Sequence, residues 1–271
     1  MTRIEIPDNW MGKPIDGALE RMLQGKPKQQ KKTTAASVQS QVIQPATNID
    51  DPENWLILEG RNHAQYSYQS LVVSMHRLGI SPDVEQAVRS LGYNLQNTAT
   101  EKDGHAYIGN INWEEAIKLN LTLGNITLNP RQGMDLLLDL RAAIPARKSQ
   151  KQTKVLYDGN GQPIDPDRLK ILYDEIRKVR EPWRGEWLDA SFIDQGTRMF
   201  SEHRLNSSVL VATYDEPLEP CLDNGTTFSM DGLNHQGFPT KENGKSSFYF
   251  YKPVDGSVAR FSADSVRAYL Y

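Results

Sequence analysis

The stretch 68–144 carries apolar positions at a spacing that is typical of amphipathic helices. A first helix, closed by Gly79, is predicted on the stripe Leu71, Val72, Met75 and Leu78. A second helix is predicted to begin at Ser81, whose hydroxyl can cap it, and at Pro82, which suits the first helical position. Its apolar side chains recur up to Gly92, where we expect it to end.

Two further helices are predicted from capping signals in the same stretch. Asn112 with Glu115 three residues later has the arrangement of a capping box, and that helix is predicted to run to Gly124. A fourth helix is predicted from Asn129 and Pro130, with its buried side on Met134, Leu137, Leu138 and Leu140. Four short, capped helices predict a compact helical domain over residues 49–145.

Beyond residue 155 the pattern changes to short β-rich runs. Asp158–Gly161 indicates a tight hairpin turn, and Asp165–Pro166 opens a helix that Pro182 would end. Five strands are then predicted, at 187–193, 208–213, 226–230, 247–252 and 257–261, before a last helix at 263–271. We therefore predict a second domain at 155–271 with a mostly antiparallel sheet. The predicted fold class is α+β.

The N-terminal part differs in composition from the rest. Residues 24–48 contain no Asp or Glu but carry Lys26, Lys28, Lys31 and Lys32, and their low apolar content predicts a flexible, disordered basic linker. The preceding residues 1–23 are predicted to hold a short docking helix, since Asp16 can cap it and Gly25 can stop it. Its apolar side chains, counted over the whole head, are Trp10, Met11, Ile15, Leu19, Met22 and Leu23.

A second basic run, residues 146–154, separates the two predicted domains of the body. It carries Arg147, Lys148, Lys151 and Lys154. The whole chain nevertheless has a formal net charge of −3, so binding to nucleic acid or to an anionic membrane would have to be local. No apolar run is long enough to span a bilayer, and we expect no membrane contact.

The cysteine and glycine residues limit which disulfides and which nucleotide-binding motifs the chain can contain. A single cysteine, Cys221, excludes an internal disulfide framework and predicts a cytoplasmic location. The run Gly244–Ser246 resembles the end of a phosphate-binding loop, but Pro239 stands where that motif needs its first glycine. We therefore predict no cofactor, and the isolated histidines predict no metal site.

The densest aromatic and charged cluster is Pro182–Asp189. Trp183, Arg184 and Trp187 are residue types that dominate protein interfaces, and they are candidate partner-binding residues. The competing interpretation is that one tryptophan anchors the core and that Arg184 pairs locally with a carboxylate.

A catalytic interpretation rests on scattered residues. Side chains for a metal-dependent or acid/base hydrolase are present in Glu186, Asp189, His203 and His235. Their spacing does not require that they meet. Cys221 lacks a glycine-framed nucleophile turn, which favours an inert thiol.

A nucleic-acid interpretation rests on charge and aromatic residues. Lysines and arginines of both basic runs could neutralise phosphates. In the predicted strand at 247–252, Tyr249 and Tyr251 share one face and could stack on unpaired bases. The candidate residues are Lys26, Lys28, Lys31, Lys32, Arg147, Lys148, Lys151, Lys154, Tyr249 and Tyr251.

Taken together, these patterns favour a non-enzymatic adaptor or assembly protein. The tethered N-terminal helix would dock on another protein or on a neighbouring copy of the chain. The competing interpretation is that it returns to the body of its own chain. A nucleic-acid-associated protein is the alternative, and a hydrolase is a second alternative.

Overall fold

The computed structural model describes residues 51–102, 104–145, 152–177, 187–193, 198–219 and 232–240, with the backbone of short strands elsewhere. The chain forms two compact units, Met1–Val42 and Ile43–Tyr271. In the first unit, β1 (Asn9–Trp10) pairs antiparallel with β2 (Lys13–Pro14). The helix predicted from Asp16 and the predicted linker lie outside the described residues.

The first part of the larger unit was predicted to be a helical domain, but it also contains strands. They are β3 (Trp55–Leu58), β4 (Arg61–His63), β5 (Tyr66–Tyr68), β6 (Leu71–Ser74), β7 (Ala99–Lys102) and β8 (His105–Ile108). They form three antiparallel pairs: β3 with β6, β4 with β5, and β7 with β8. Residues 49–145 are therefore not a purely helical domain.

The helix predicted on Leu71–Leu78 is wrong, because those residues form β6 and the segment after it. Leu71 and Val73 pack against the core while Val72 is 36% exposed, which is the alternation of a strand. Leu71 lies opposite Leu58 in the ladder with β3. The apolar spacing of this segment also suits a helix. Pairing with β3, which is distant in the sequence, makes it a strand instead.

The helices that begin at capping residues are confirmed. They are α1 (Pro82–Ser90), α3 (Trp113–Thr122), α4 (Pro130–Ala143) and α5 (Pro166–Arg177), with an unpredicted short helix α2 (Leu95–Thr98) between the first two. Ser81 caps α1 by accepting from the Val84 backbone N–H. Asn112 with Glu115, and Asn129 with Gln132, form complete capping boxes.

The second part of the body follows the predicted order closely. The turn at Asp158–Gly161 is confirmed, since the Gly161 backbone N–H donates to the Asp158 carbonyl over 2.9 Å. The strands are β9 (Ala190–Ile193), β10 (Arg198–Asn206), β11 (Val209–Pro217), β12 (Thr226–Phe228), β13 (Phe248–Tyr251) and β14 (Arg260–Ala263). Strand β10 was not predicted. Ala263, predicted to begin the last helix, ends β14, and residues 264–271 lie outside the described residues.

The sheets of this part are antiparallel throughout the described strands. One has the order β11-β10-β9 and the other the order β12-β13-β14. With helices and antiparallel sheets in one unit, the protein has the predicted α+β fold.

Helix α4 lies at the centre of the core. On one side Met134 and Leu137 pack with residues of β9 and β10 and with Phe238. On another side Leu136 and Leu140 pack with β3 and α5. Both predicted domains of the body contribute to this packing. The predicted boundary at residues 146–154 thus falls inside one compact unit.

Candidate functional site

Helix α4 buries polar as well as apolar side chains. The helix and its cap place the following polar residues in the interior: Asn129, Arg131, Gln132, Asp135 and Asp139. Burial of polar and charged groups costs free energy unless they are paired, and functional sites are one place where proteins retain them. The surroundings of this helix are therefore the candidate site.

Asp135 is the centre of the first polar cluster and is fully buried. Its Oδ1 accepts from Arg131 Nη2 over 2.6 Å and from Arg61 Nη1 over 3.0 Å. Its Oδ2 accepts from Tyr68 Oη over 2.7 Å and lies 2.6 Å from His63 Nε2. Burial by itself would raise the pKa of the Asp135 carboxyl, but Arg131, Tyr68, Arg61 and His63 outweigh burial and lower that pKa.

Asp139, one turn further along α4, extends this cluster to the chain after the helix. It forms ion pairs with Arg61 and, over 2.8 Å, with Lys154 Nζ. The same ammonium lies 3.2 Å from Glu59 Oε2. Lys154, a candidate phosphate-binding residue, is thus paired within the body. The other basic candidates, Lys26, Lys28, Lys31, Lys32, Arg147, Lys148 and Lys151, lie outside the described residues.

Tyr66 is the centre of a second cluster at the start of α4. Its hydroxyl donates to Glu202 Oε1 over 2.7 Å and accepts from Asn129 Nδ2 over 2.6 Å and Gln132 Nε2 over 2.8 Å. Burial, followed by the hydrogen bond to Glu202, raises the pKa of the Tyr66 phenol. Glu202 has a left-handed backbone with φ of 55°, and its carbonyl accepts from Thr213 Oγ1 over 2.8 Å. The Tyr66 hydroxyl thus joins Glu202 of β10 to Asn129 and Gln132 at the start of α4.

A small recess opens beside these clusters, between α4, the sheet and the loop 232–240. It has space for roughly one water molecule. Its lining residues are Tyr66, Asn129, Arg131, Met199, Ser201, Tyr214, Glu216, His235 and Gln236. The described residues therefore form a polar niche and not a cavity for a large ligand.

Glu216 and His235 lie together on one side of this recess. Glu216 Oε2 accepts from Tyr214 Oη over 2.8 Å and lies 3.0 Å from His235 Nε2. His235 Nδ1 lies 3.2 Å from Glu219 Oε1. Chemically, the recess can hold a small molecule between a guanidinium and a carboxylate.

The predicted hydrolase residues meet only in part. His203 Nδ1 contacts Asp189 Oδ1 in the interior, and the His203 backbone N–H donates to Asp189 Oδ2 over 2.7 Å. The edge of the Trp113 ring lies against His203, with 5.2 Å between ring centroids. His235 is paired instead with Glu216 and Glu219. Glu186 and Cys221 lie outside the described residues.

Of the predicted partner-binding residues, the structure describes the side chain of Trp187. It is half-buried, and its Nε1 donates to the Ile111 carbonyl over 3.0 Å, so this tryptophan anchors the body. Trp10 belongs to β1. Tyr249 and Tyr251 belong to β13, of which the backbone is described. The remaining candidates, Met11, Ile15, Leu19, Met22, Leu23, Trp183 and Arg184, lie outside the described residues.

The residues around Asp135 and Glu216 were not predicted as site residues. One signal was present: Arg131, Asp135 and Asp139 recur every four residues and so share one face of α4. Their partners Arg61, His63 and Tyr68 stand about seventy positions earlier, and no local pattern links them.

Neither metal-binding groups nor similarity to known proteins assigns a function to this site. Within the described part of the chain, no cluster of three or more His, Cys, Asp or Glu side chains could hold a metal ion, and no helix could cross a membrane. The chain matches no protein-family model, and comparison with the curated proteins and with the solved structures finds no match.

Proposed function

We propose that this chain is a cytoplasmic, non-enzymatic adaptor or assembly protein that binds another protein or a neighbouring copy of itself. Two parts of the chain would make the contact: the N-terminal head, residues 1–23, and the outer face of β11. The observation that carries the proposal is the pair of exposed valines, Val209 and Val211, in β11 at the edge of its sheet.

Strand β11 has nine residues, and its alternate side chains are exposed. Val209 is 62% exposed and Val211 is 45% exposed, on the same face of the strand. In the order β11-β10-β9 this strand is at the edge, and within the described residues no further strand pairs with it. Edge strands with exposed β-branched side chains are a common place for another chain to add.

The N-terminal head and the body belong to different compact units. The first compact unit ends at Val42, inside the stretch that the sequence predicts as a linker. A head with Trp10, Leu19 and Met22 carries apolar side chains suited to a protein partner. The single cysteine supports a reducing compartment.

The test compares variants of the full-length chain for self-association and for partners captured by cross-linking in its native extract. Val209→Lys with Val211→Lys places charge on the β11 face, and Leu19→Asp with Met22→Asp does so on the head. The matched control is Ile126→Lys, since Ile126 is 61% exposed elsewhere on the body.

Both pairs of substitutions are expected to abolish the same specific association, while Ile126→Lys retains it. Retention of the association in all variants, or its equal loss in the control, would contradict the proposal. Thermal unfolding of each variant establishes that the body is still folded.

A further inference from the structure

Three buried polar atoms among the residues that line the recess have no hydrogen-bond partner. They are Arg131 Nε, Ser201 Oγ and Glu216 Oε1. Ser201 is fully buried, and the side chain of Arg131 is 5% exposed. A buried donor or acceptor without a hydrogen-bond partner costs free energy. A bound molecule that forms hydrogen bonds with these atoms would therefore stabilise the protein.

The other atoms of the two charged side chains are already fixed. Arg131 Nη2 donates to Asp135 over 2.6 Å, and Arg131 Nη1 donates to the Asn234 carbonyl over 3.0 Å. Glu216 Oε2 is held by Tyr214 and His235. Because these contacts fix both groups, Arg131 Nε and Glu216 Oε1 cannot turn to other partners without breaking them.

We propose that the recess is a binding site for one water molecule that bridges Arg131, Ser201 and Glu216. The water accepts from Arg131 Nε and donates to Glu216 Oε1, and Ser201 Oγ is its third partner. Three polar partners are what buried waters typically have, and the recess has space for roughly one such molecule.

The charges around the recess disfavour the binding of an ion. The guanidinium N–H of Arg131 cannot donate to a cation, and the carboxylate of Glu216 would repel an anion. A neutral molecule that both donates and accepts satisfies both groups. This bridge would join α4 to β10 and β11 at the point where the polar clusters meet, independently of any partner that β11 binds.

A crystal structure of the full-length protein, at a resolution that shows ordered waters, tests the site directly. We expect density for a water within hydrogen-bonding distance of all three atoms. We expect it also in Ser201→Ala, where two partners remain. Absence of that water from the wild-type structure would overturn the proposal.

Ser201→Val gives an independent test with opposite signs for a wet and a dry recess. If the site binds water, the valine displaces it and leaves Arg131 Nε and Glu216 Oε1 without partners, so Tm falls by roughly 3 °C or more. If the recess is dry, the added methyl groups fill it and Tm rises or is unchanged. Met199→Leu, an apolar change of similar volume in the same lining, is the control and should leave Tm nearly unchanged.

Discussion

Replacement of Asp135 by alanine should be among the most destabilising changes in the body. The carboxylate is fully buried and has four hydrogen-bonding neighbours, Arg61, His63, Tyr68 and Arg131. Its removal leaves the Arg131 guanidinium, whose side chain is 5% exposed, without the carboxylate that it contacts directly. Breaking a buried ion pair from one side costs about 3–5 kcal/mol.

For a domain of this size we expect Tm to fall by roughly 6–20 °C, because 1 kcal/mol corresponds to about 2–4 °C. Urea unfolding followed by circular dichroism at neutral pH measures the free energy of unfolding, and calorimetry measures Tm. Asp174→Ala is the matched control. Asp174 pairs with Lys170 on the exposed side of α5, and its loss should change stability by less than about 0.5 kcal/mol.

The pH dependence gives a second readout of the same interaction. The pKa of Asp135 is lowered in the folded protein, so its contribution to stability is complete above the carboxyl pKa of the unfolded chain. It is lost as the pH falls from there through the folded pKa. The difference in stability between wild type and Asp135→Asn should therefore be constant near neutrality and shrink on acidification. A cost below about 1 kcal/mol for Asp135→Ala, or a difference that grows in acid, would refute this reasoning.

Other predictions concern backbone conformation and helix capping. Gly237 has φ of 89°, and a Cβ there would lie 2.8 Å from the Arg131 backbone nitrogen, so Gly237→Ala should lower the free energy of unfolding by clearly more than Gly92→Ala, where φ is 75° but the space is open. Equal losses in urea unfolding would show that the close approach to α4 is unimportant. Asn112→Ala removes the acceptor of the Glu115 backbone N–H and should cost about 1 kcal/mol, whereas Asn112→Asp should retain most of the stability. An unchanged urea midpoint for the alanine variant would contradict the capping role.

The elements that the sequence predicts correctly are those stabilised by contacts between neighbouring residues. The caps at Ser81, Asn112 and Asn129 join groups at most three residues apart, and the turn at Asp158–Gly161 closes on itself. Such interactions are encoded in a few neighbouring residues. The β-rich runs of the second part were also recognisable, because alternation along a strand is a local pattern.

Elements whose conformation depends on distant chain segments could not be predicted from the sequence. The stripe at Leu71–Leu78 suits a helix by spacing, but pairing with β3 makes its first residues a strand. Strand β10 was missed because its buried positions include the polar Ser201 and His203 beside Met199. Periodicity in apolar residues does not detect a strand whose inward face is partly polar.

The sequence by itself determined the caps, the hairpin turn, the α+β class and the position of most strands in the second part, because these depend on neighbours along the chain. Only the tertiary structure decided which polar groups are buried together. Asp135 meets Arg61 across 74 positions, and Arg131 meets Asn234 across 103. The physical reason is that a buried charge is tolerated only where folding supplies its partners, and those partners come from segments that no local pattern relates.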